Sequence, residues 1–487
     1  MKLSRRGVLL ASAATTARAY FPGAVTYAAS ARTLIATKRS IEVNGKTASM
    51  FALQGMNGED GITLAPGERF AVSLENRCGE PTIIHWHGQT PPVAQDGVTD
   101  TGYEAPIGNG AASPYDYMPR PGTFWMHSHL GLQEQRLMAA PLIVHTADDL
   151  RADVQEIVVL LHDFTFEDPA AIFARLAAGG NQASQGGMGM MGGGAMMGSG
   201  FAAQMPMGGN ACGAAPCGAD LNDINFDAYL ANGRTLADPQ VIRVERGGQV
   251  RLRLINGASA TSFWITTGTL PARLVAADGD PVQPLDISGP LPLAEAQRVD
   301  LMLKLPASEG AYPIFAQREG DIKRAGIILA TPQAPISKVP QSAAFSSGAY
   351  TLSLEANLRA RAPLAPRPVD RVHQVVLAGG MMLYNWTING RQWQNHIPLQ
   401  VKAGERVALD IFNRSMMSHP MHLHGHRFQV VAINGMSLSG ASRDTVLVPA
   451  MGHVRIAFDA DNPGRWLFHC HNLYHMAAGM MTEIRYG

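Results

Sequence analysis

Charge is scarce in this chain. Of 487 residues only 16% are Asp, Glu, Lys or Arg, and the 39 basic side chains equal the 39 acidic ones, against about 25% charged in an average soluble protein. A neutral balance is not the footprint of a nucleic-acid binder, so no nucleic-acid partner is expected. Long apolar runs are absent: none approaches the roughly 20 residues that cross a bilayer, so no membrane anchor is expected. Cysteine is limited to Cys78, Cys212, Cys217 and Cys470, enough for two disulfides at most. Long helix-period stretches are few, while 51 glycines and 31 prolines point to turn-rich β structure.

The first residues read as an address. "SRRGVLLASAATTARAYF" pairs Arg5 and Arg6 ahead of a weakly apolar stretch from Gly7 to Ala17, the layout of a twin-arginine export signal. Residues 1–31 are therefore set apart from the fold, with cleavage expected at Ala17-x-Ala19 or Ala29-x-Ala31, and the mature protein is expected in the periplasm. That pathway carries folded proteins with a cofactor already in place.

At about 150 residues per domain the length predicts three domains. Three phrases mark them: "APGERFAVSLEN", "ERGGQVRLRLIN" and "KAGERVALDIFN" each join a turn glycine to an alternating strand and a closing asparagine, Asn76, Asn256 or Asn413. Three copies of one β-sandwich unit is the economical explanation. The expected fold is all-β, with sandwich units over 32–149, 150–335 and 345–487. The second unit is interrupted by residues 179–210, where Met188, Met190, Met191, Met196, Met197, Met205 and Met207 sit among glycines. Such a stretch cannot bury a core and is expected to be a flexible loop. Methionine usually fills core gaps, a role a glycine-rich loop does not offer, whereas soft thioethers select Cu(I). Cys212 and Cys217 flank a turn after this loop; they could pair with each other or bind copper.

Ten of the sixteen histidines fall into four clusters. These are His85 and His87 in "HWHG", His127 and His129 in "HSH", His419, His422 and His424 in "HPMHLHGH", and His469, His471 and His475 in "HCHNLYHMAAGM". The other six (His145, His162, His373, His396, His426, His453) are scattered, and the ordinary expectation for each is a surface or hydrogen-bonded histidine. Alternate residues of a strand share a face, so each His-x-His presents two imidazoles side by side. Four pairs, 85/87, 127/129, 422/424 and 469/471, make eight nitrogen ligands, two pairs from each end of the chain. The first and last units must therefore meet. Eight imidazoles without a carboxylate suit copper better than magnesium, calcium or zinc. In "HCH" Cys470 faces away from its neighbours and needs its own metal, with His419 and His475 left to complete it. Two histidines, a cysteine and a long axial methionine is the blue-copper set, and Met480 is placed to be that methionine.

These motifs, in this order, resemble the multicopper oxidases from about residue 33 to the end. "GLQEQ" after "HSH", the Met-rich insertion and the last cluster are most similar to the bacterial periplasmic copper-resistance oxidases; cuprous oxidases and laccases share the same core. The resemblance implies cupredoxin-like Greek-key sandwiches, a monomer, and four copper ions. It implies a type 1 site of His419, Cys470, His475 and Met480, a type 2 copper on His85 and His422, and a type 3 pair on His87, His127, His129, His424, His469 and His471. It implies four one-electron oxidations coupled to reduction of O2 to two waters.

Protons must arrive as well. Asp96 in "QDG" matches the family's acid near the trinuclear site and is expected to relay protons, although an ordinary Asp-Gly turn explains it equally well. Some cuprous oxidases carry a second acid where this chain has Met476. Glu134 is a nearby acid that nothing in the sequence places in a channel. Met417 matches one methionine of the Cu(I) substrate site of cuprous oxidases, but the acid expected two residues earlier is Ser415. Met381, Met382 and Met416 are further Cu(I) candidates or ordinary core residues, and Met188, Met190 and Met191 belong to the loop. The leading expectation is an oxidase of Cu(I) and phenols serving copper tolerance. The alternatives are a laccase-like phenol or Mn(II) oxidase and a non-enzymatic copper-binding or scaffold protein. A two-domain nitrite-reductase arrangement fits less well, because the chain has three units.

Overall fold

The computed structural model describes residues 31–179 and 221–487. Residues 1–30 of the expected export signal, the Met-rich run with Met188, Met190 and Met191, and Cys212 with Cys217 lie outside them. Among the described residues no helix is long and apolar enough to cross a membrane.

The strands form six sheets, and no sheet mixes strands from different thirds of the chain. Two four-stranded sheets come from residues 32–144, a six- and a five-stranded sheet from 155–330, and a seven- and a five-stranded sheet from 371–486. Each pair of sheets packs face to face around alternating inward residues. In the strand Phe70–Asn76, for example, Phe70, Val72 and Leu74 are buried while Ala71, Ser73 and Glu75 are half-exposed.

The three repeated phrases occupy equivalent places. Phe70–Asn76, Gln249–Asn256 and Arg406–Asn413 each pair in parallel with the first long strand of their own third. The closing asparagine is buried in all three and works in the same way. Asn76 Nδ2 donates to the carbonyls of Glu80 and Ile107 at 2.8 and 2.7 Å. Asn256 Nδ2 donates to Thr261 and Leu293, both at 2.9 Å, and Asn413 Nδ2 to Met417 and Val448 at 2.7 and 3.1 Å. Each Oδ1 accepts the amide two residues on, from Cys78, Ala258 and Ser415 respectively. The asparagine thus ties the end of its strand to the loop that leaves it. Leaving those buried carbonyls unpaired costs about 1–3 kcal/mol, which accounts for the residue in every copy.

The second sandwich holds the other two against each other through fully buried Arg298. Its guanidinium grips Asp444 of the third sandwich with two bonds, Nη1–Oδ1 2.7 Å and Nη2–Oδ2 2.5 Å, and its Nε donates to the Thr123 carbonyl of the first at 3.2 Å. At the same junction Gly122 (φ +139°) passes so close to Gly279 that a Cβ would lie 2.3 Å from its carbonyl oxygen.

Breaking a buried pair leaves an uncompensated charge, a cost of about 3–5 kcal/mol. Arg298→Met is therefore expected to lower unfolding stability by about that amount in denaturant titrations. A loss under about 1 kcal/mol would show that the arginine is not a keystone.

Candidate metal centres

Strand register brings the clusters together. His85 ends the strand Ile84–His85 and pairs with His127 of Gly122–Ser128. In the third sandwich His422 of His419–Leu423 pairs with His469 of Arg465–Cys470, and Met421 pairs with Cys470. The two halves then face each other across the junction. His85 Nε2 lies 3.5 Å from His422 Nε2, and His127 Nε2 lies 3.4 Å from His471 Nε2. Ligand atoms of His85, His87 and His127, of His85, His422 and His424, and of His129, His424 and His469 come within 4.8 Å of one another in each trio. All eight paired histidines are buried.

The outer nitrogens decide what the inner ones can be. His85 Nδ1 donates to the Asp96 carbonyl at 2.8 Å and His422 Nδ1 to the Asp444 carbonyl at 2.8 Å. His469 Nδ1 donates to the Cys470 carbonyl at 2.9 Å. His424 Nδ1 lies 2.8 Å from Asp96 Oδ2, and His127 Nδ1 lies 2.8 Å from Glu134 Oε2. Carbonyls and carboxylates accept, so the proton of each of these rings belongs on its outer nitrogen. The inner lone pairs then point at each other, at 3.0 Å between His424 Nε2 and His469 Nε2. Lone pairs facing at that distance repel unless a cation lies between them, so the donor set fits a metal. His87 is turned round: Nε2 meets Asp444 Oδ1 and Thr445 Oγ1, both at 3.1 Å, and Nδ1 is the buried atom without a partner. Both nitrogens of His129 lack hydrogen-bond partners.

Burial supplies the protonation state this arrangement needs. It holds His87, His127, His422, His424 and His469 well below the ordinary imidazole range, and neighbouring histidines push the same way. It lowers His471 to about 3. Neutral imidazoles are ready ligands at neutral pH.

The second set is smaller. Cys470 Sγ lies 3.6 Å from His419 Nδ1 and 3.7 Å from His475 Nδ1, and those two nitrogens are 3.1 Å apart. Of the outer nitrogens, His419 Nε2 is bonded to Ser415 Oγ at 2.7 Å, and His475 Nε2 lies 2.9 Å from Asp223 Oδ2. His475 rides the short helix Leu473–Ala477, capped by Asn472. Trp386 covers the set, its ring 4.1 Å from His475. Burial pushes the Cys470 thiol well above its ordinary range, so a thiolate there needs a cation beside it. Met480 is fully buried, and its carbonyl accepts the Cys470 amide at 3.1 Å. Two nitrogens, one sulfur and a neighbouring methionine fit copper.

The remaining candidates divide. Asp96 touches two rings at once, with Oδ1 3.3 Å from His85 Nδ1 and Oδ2 bonded to His424. It is also the turn residue: a Cβ on Gly97 (φ +78°) would lie 1.8 Å from the Ile84 carbonyl oxygen. Met417 is buried two residues before His419, Met381 is half-buried, and Met382 and Met416 are 84% and 40% exposed. Met476 is half-buried against Val98, Leu467 and Met481. Three acids escaped the sequence reading as ring partners: Glu134, Asp444 and Asp223. Glu134 stood in the "GLQEQ" motif, but no local pattern marks the other two, because packing between sandwiches brings them in. Among the scattered histidines, His162 departs from expectation: it is buried with neither nitrogen partnered.

Models of the multicopper oxidase family match residues 35–149, 156–332 and 366–487. The chain belongs to the multicopper oxidases. It is 33% identical to the multicopper oxidase MmcO of Mycobacterium tuberculosis over 436 residues, which are 87% of this chain and 81% of that one. It is 26% identical to a copper resistance protein A homolog of Pseudomonas syringae pv. tomato, covering 86% of each chain. A laccase from Botrytis aclada shares the fold with a TM-score of 0.71 at 21% identity, covering 93% of this chain and 86% of that one. The three sandwiches are the cupredoxin-like domains of this family.

A lowered histidine pKa makes the unfolded chain the better proton acceptor below the ordinary value of 6.5. Stability of the metal-free oxidase is therefore complete above that value and is lost as pH falls towards about 3 for His471. Each such histidine contributes up to about 1.4 kcal/mol per pH unit. The melting temperature of metal-free protein is expected to drop between pH 7.5 and 5, and less steeply in His471→Asn. An unchanged melting temperature would contradict neutral, clustered imidazoles.

Proposed function

We propose that this multicopper oxidase couples oxidation of Cu(I), and of phenols, to reduction of O2 to water, and that it serves copper tolerance in the periplasm after twin-arginine export. One observation carries the reading: two metal-fitting sets share a single tripeptide, His469-Cys470-His471. Cys470 of the smaller set is peptide-bonded to His469 and His471 of the larger one, so the ligands of the two sets are covalently continuous. His419, Cys470, His475 and Met480 would hold a type 1 copper, His85 and His422 a type 2 copper, and His87, His127, His129, His424, His469 and His471 a type 3 pair. Bound copper would supply one-electron steps, four of which take O2 to two waters.

The chain's own residues arrange the rest. Asp444 and Asp96 fix the rings of His87 and His424, and the Asp444 and Asp96 carbonyls fix those of His422 and His85. Asp96, beside one ring from each half, has Oδ2 engaged by His424 and Oδ1 without a hydrogen-bond partner, so Oδ1 is the atom placed to hold a proton. At the smaller set Trp386 excludes water from one side of the rings. Asp223 holds the outer nitrogen of His475 and accepts the Tyr384 hydroxyl at 2.6 Å, which puts a carboxylate at the edge where a reductant would meet His475.

Cu(I) as substrate is supported by what surrounds that edge. Gly179, the last described residue before the Met-rich run, lies against Met382, where a Cβ would come 2.7 Å from its carbonyl oxygen. Asp223 comes three residues into the stretch described after it. Gly179 and Asp223, the described residues on either side of the stretch that contains the Met-rich run, thus lie against Met382 and beside His475 respectively. A laccase-like reading is favoured by exposed Met382 and Leu383 at the same rim, which suit an aromatic ring, and by Ser415 in place of an acid.

Oxygen consumption by purified, copper-loaded protein is expected with Cu(I) and with a phenol; consumption with the phenol alone would leave the laccase-like reading. Deleting residues 179–210 is expected to lower Cu(I) oxidation while phenol oxidation holds or rises, and equal loss of both would sink the copper-delivery role. Asp96→Asn is expected to slow turnover about 10²-fold or more with copper content intact. Unchanged turnover would remove Asp96 from the proton path.

A further inference from the structure

The peptide between Asp96 and Gly97 is held at both of its polar ends. Its carbonyl accepts the Nδ1 proton of His85 at 2.8 Å. Its N–H donates to Glu104 Oε1 at 2.6 Å, a short bond of the kind an anionic acceptor makes. Gly97 has a φ of +78°, and a Cβ there would lie 1.8 Å from the Ile84 carbonyl oxygen, so this peptide runs hard against the strand that ends in His85.

Glu104 is half-buried and lies seven residues after Gly97. Its loop is tied down on both sides. The Thr101 carbonyl accepts Arg465 Nη1 at 2.8 Å, and Ile107 exchanges two backbone bonds with Thr82, at 3.0 and 2.7 Å. The second carboxyl oxygen, Oε2, accepts the Tyr115 hydroxyl at 3.0 Å. Tyr115 packs edge-on against Trp86, the residue between His85 and His87, with ring centroids 4.8 Å apart. Both oxygens of Glu104 are thus engaged by groups that flank the first histidine pair, and neither bonds a histidine.

Hydrogen bonds in a chain polarise one another. A carboxylate on the N–H side of a peptide leaves more negative charge on the carbonyl oxygen of the same peptide. Here that oxygen holds the Nδ1 proton of His85, and a stronger acceptor at Nδ1 makes the inner nitrogen Nε2 more basic. Nε2 is the atom that faces His422 Nε2 at 3.5 Å.

We infer that Glu104 is a positioning residue for His85: through the Asp96–Gly97 peptide it fixes the ring proton on Nδ1 and strengthens Nε2 as a ligand of the type 2 copper. This role rests on the copper assignment of His85 given above. The same turn delivers the Asp96 carboxylate to His424 at 2.8 Å, so one carboxyl outside the histidine cluster steadies contacts to rings of both halves.

Burial pushes the Glu104 carboxyl up to about 7, against the pull of its Gly97 and Tyr115 donors; Asp96 acts with burial and His85 against it. Glu104 is therefore mostly charged at pH 8 and mostly neutral at pH 6. Glu104→Gln keeps the acceptor for Gly97 and removes the charge, whereas Glu104→Ala removes both. In copper-loaded protein at pH 8, a chelator is expected to remove the type 2 electron paramagnetic resonance signal of Glu104→Gln at about tenfold lower concentration than that of the parent. The blue colour should be retained, and at pH 6 the two proteins should differ much less. Equal retention by parent and Glu104→Gln at pH 8, or the same deficit at both pH values, overturns the role and leaves a side chain that only props the turn. A second measurement needs the parent alone. In metal-free protein the Gly97 amide and His85 Nδ1 proton resonances are expected to move downfield together between pH 6 and 8, and a Gly97 shift that His85 does not follow overturns the role as well. A parent that shows both shifts yet holds no type 2 copper would sink the copper assignment and leave the hydrogen-bonded chain standing.

Discussion

The structure turns on buried imidazoles that face each other through their inner nitrogens. His85 meets His422, His127 meets His471 and His424 meets His469 at 3.0–3.5 Å. For His85, His422, His424 and His469 a carbonyl or carboxylate fixes the ring proton on the far side. Such a cluster is costly in the absence of a cation and favourable around one. Much of the surrounding architecture serves to hold it: acids and carbonyls at the outer nitrogens, burial that keeps the rings neutral, and a fold that brings the two ends of the chain together.

That fold is one idea used three times. A buried asparagine closes the same strand in each sandwich, and the first and third sandwiches carry the histidine pairs at the edges that meet. The middle sandwich carries none of the ten clustered histidines. It supplies Arg298, which grips Asp444 and through it the ring of His87, and it supplies Asp223, which holds His475 from outside. The middle sandwich thus orients candidate ligands in both sets.

Much of this was legible in the sequence because strand geometry is periodic. His-x-His places two rings on one face whatever the tertiary structure, and a cysteine between two histidines must face the other way. The three closing asparagines revealed the repeat before their hydrogen bonds were visible. Contacts between sandwiches were not legible. Asp444 and Asp223 carry no local pattern, and Glu134 stood in a recognisable motif without an indicated direction. Asp96 read equally as a turn residue and as a partner of the site; it is both, since the turn at Gly97 is what delivers its carboxylate to two rings. The Met-rich run was legible only as composition.

Location of the metals by anomalous diffraction at the copper edge, on crystals of the copper-replete protein, tests the central claim most directly. The account predicts one copper among Cys470 Sγ, His419 Nδ1 and His475 Nδ1, and three more in the space enclosed by the facing inner nitrogens, with His87 bound through Nδ1. Histidine pairs found facing each other with no metal between them, or copper bound at the outer nitrogens, would contradict it.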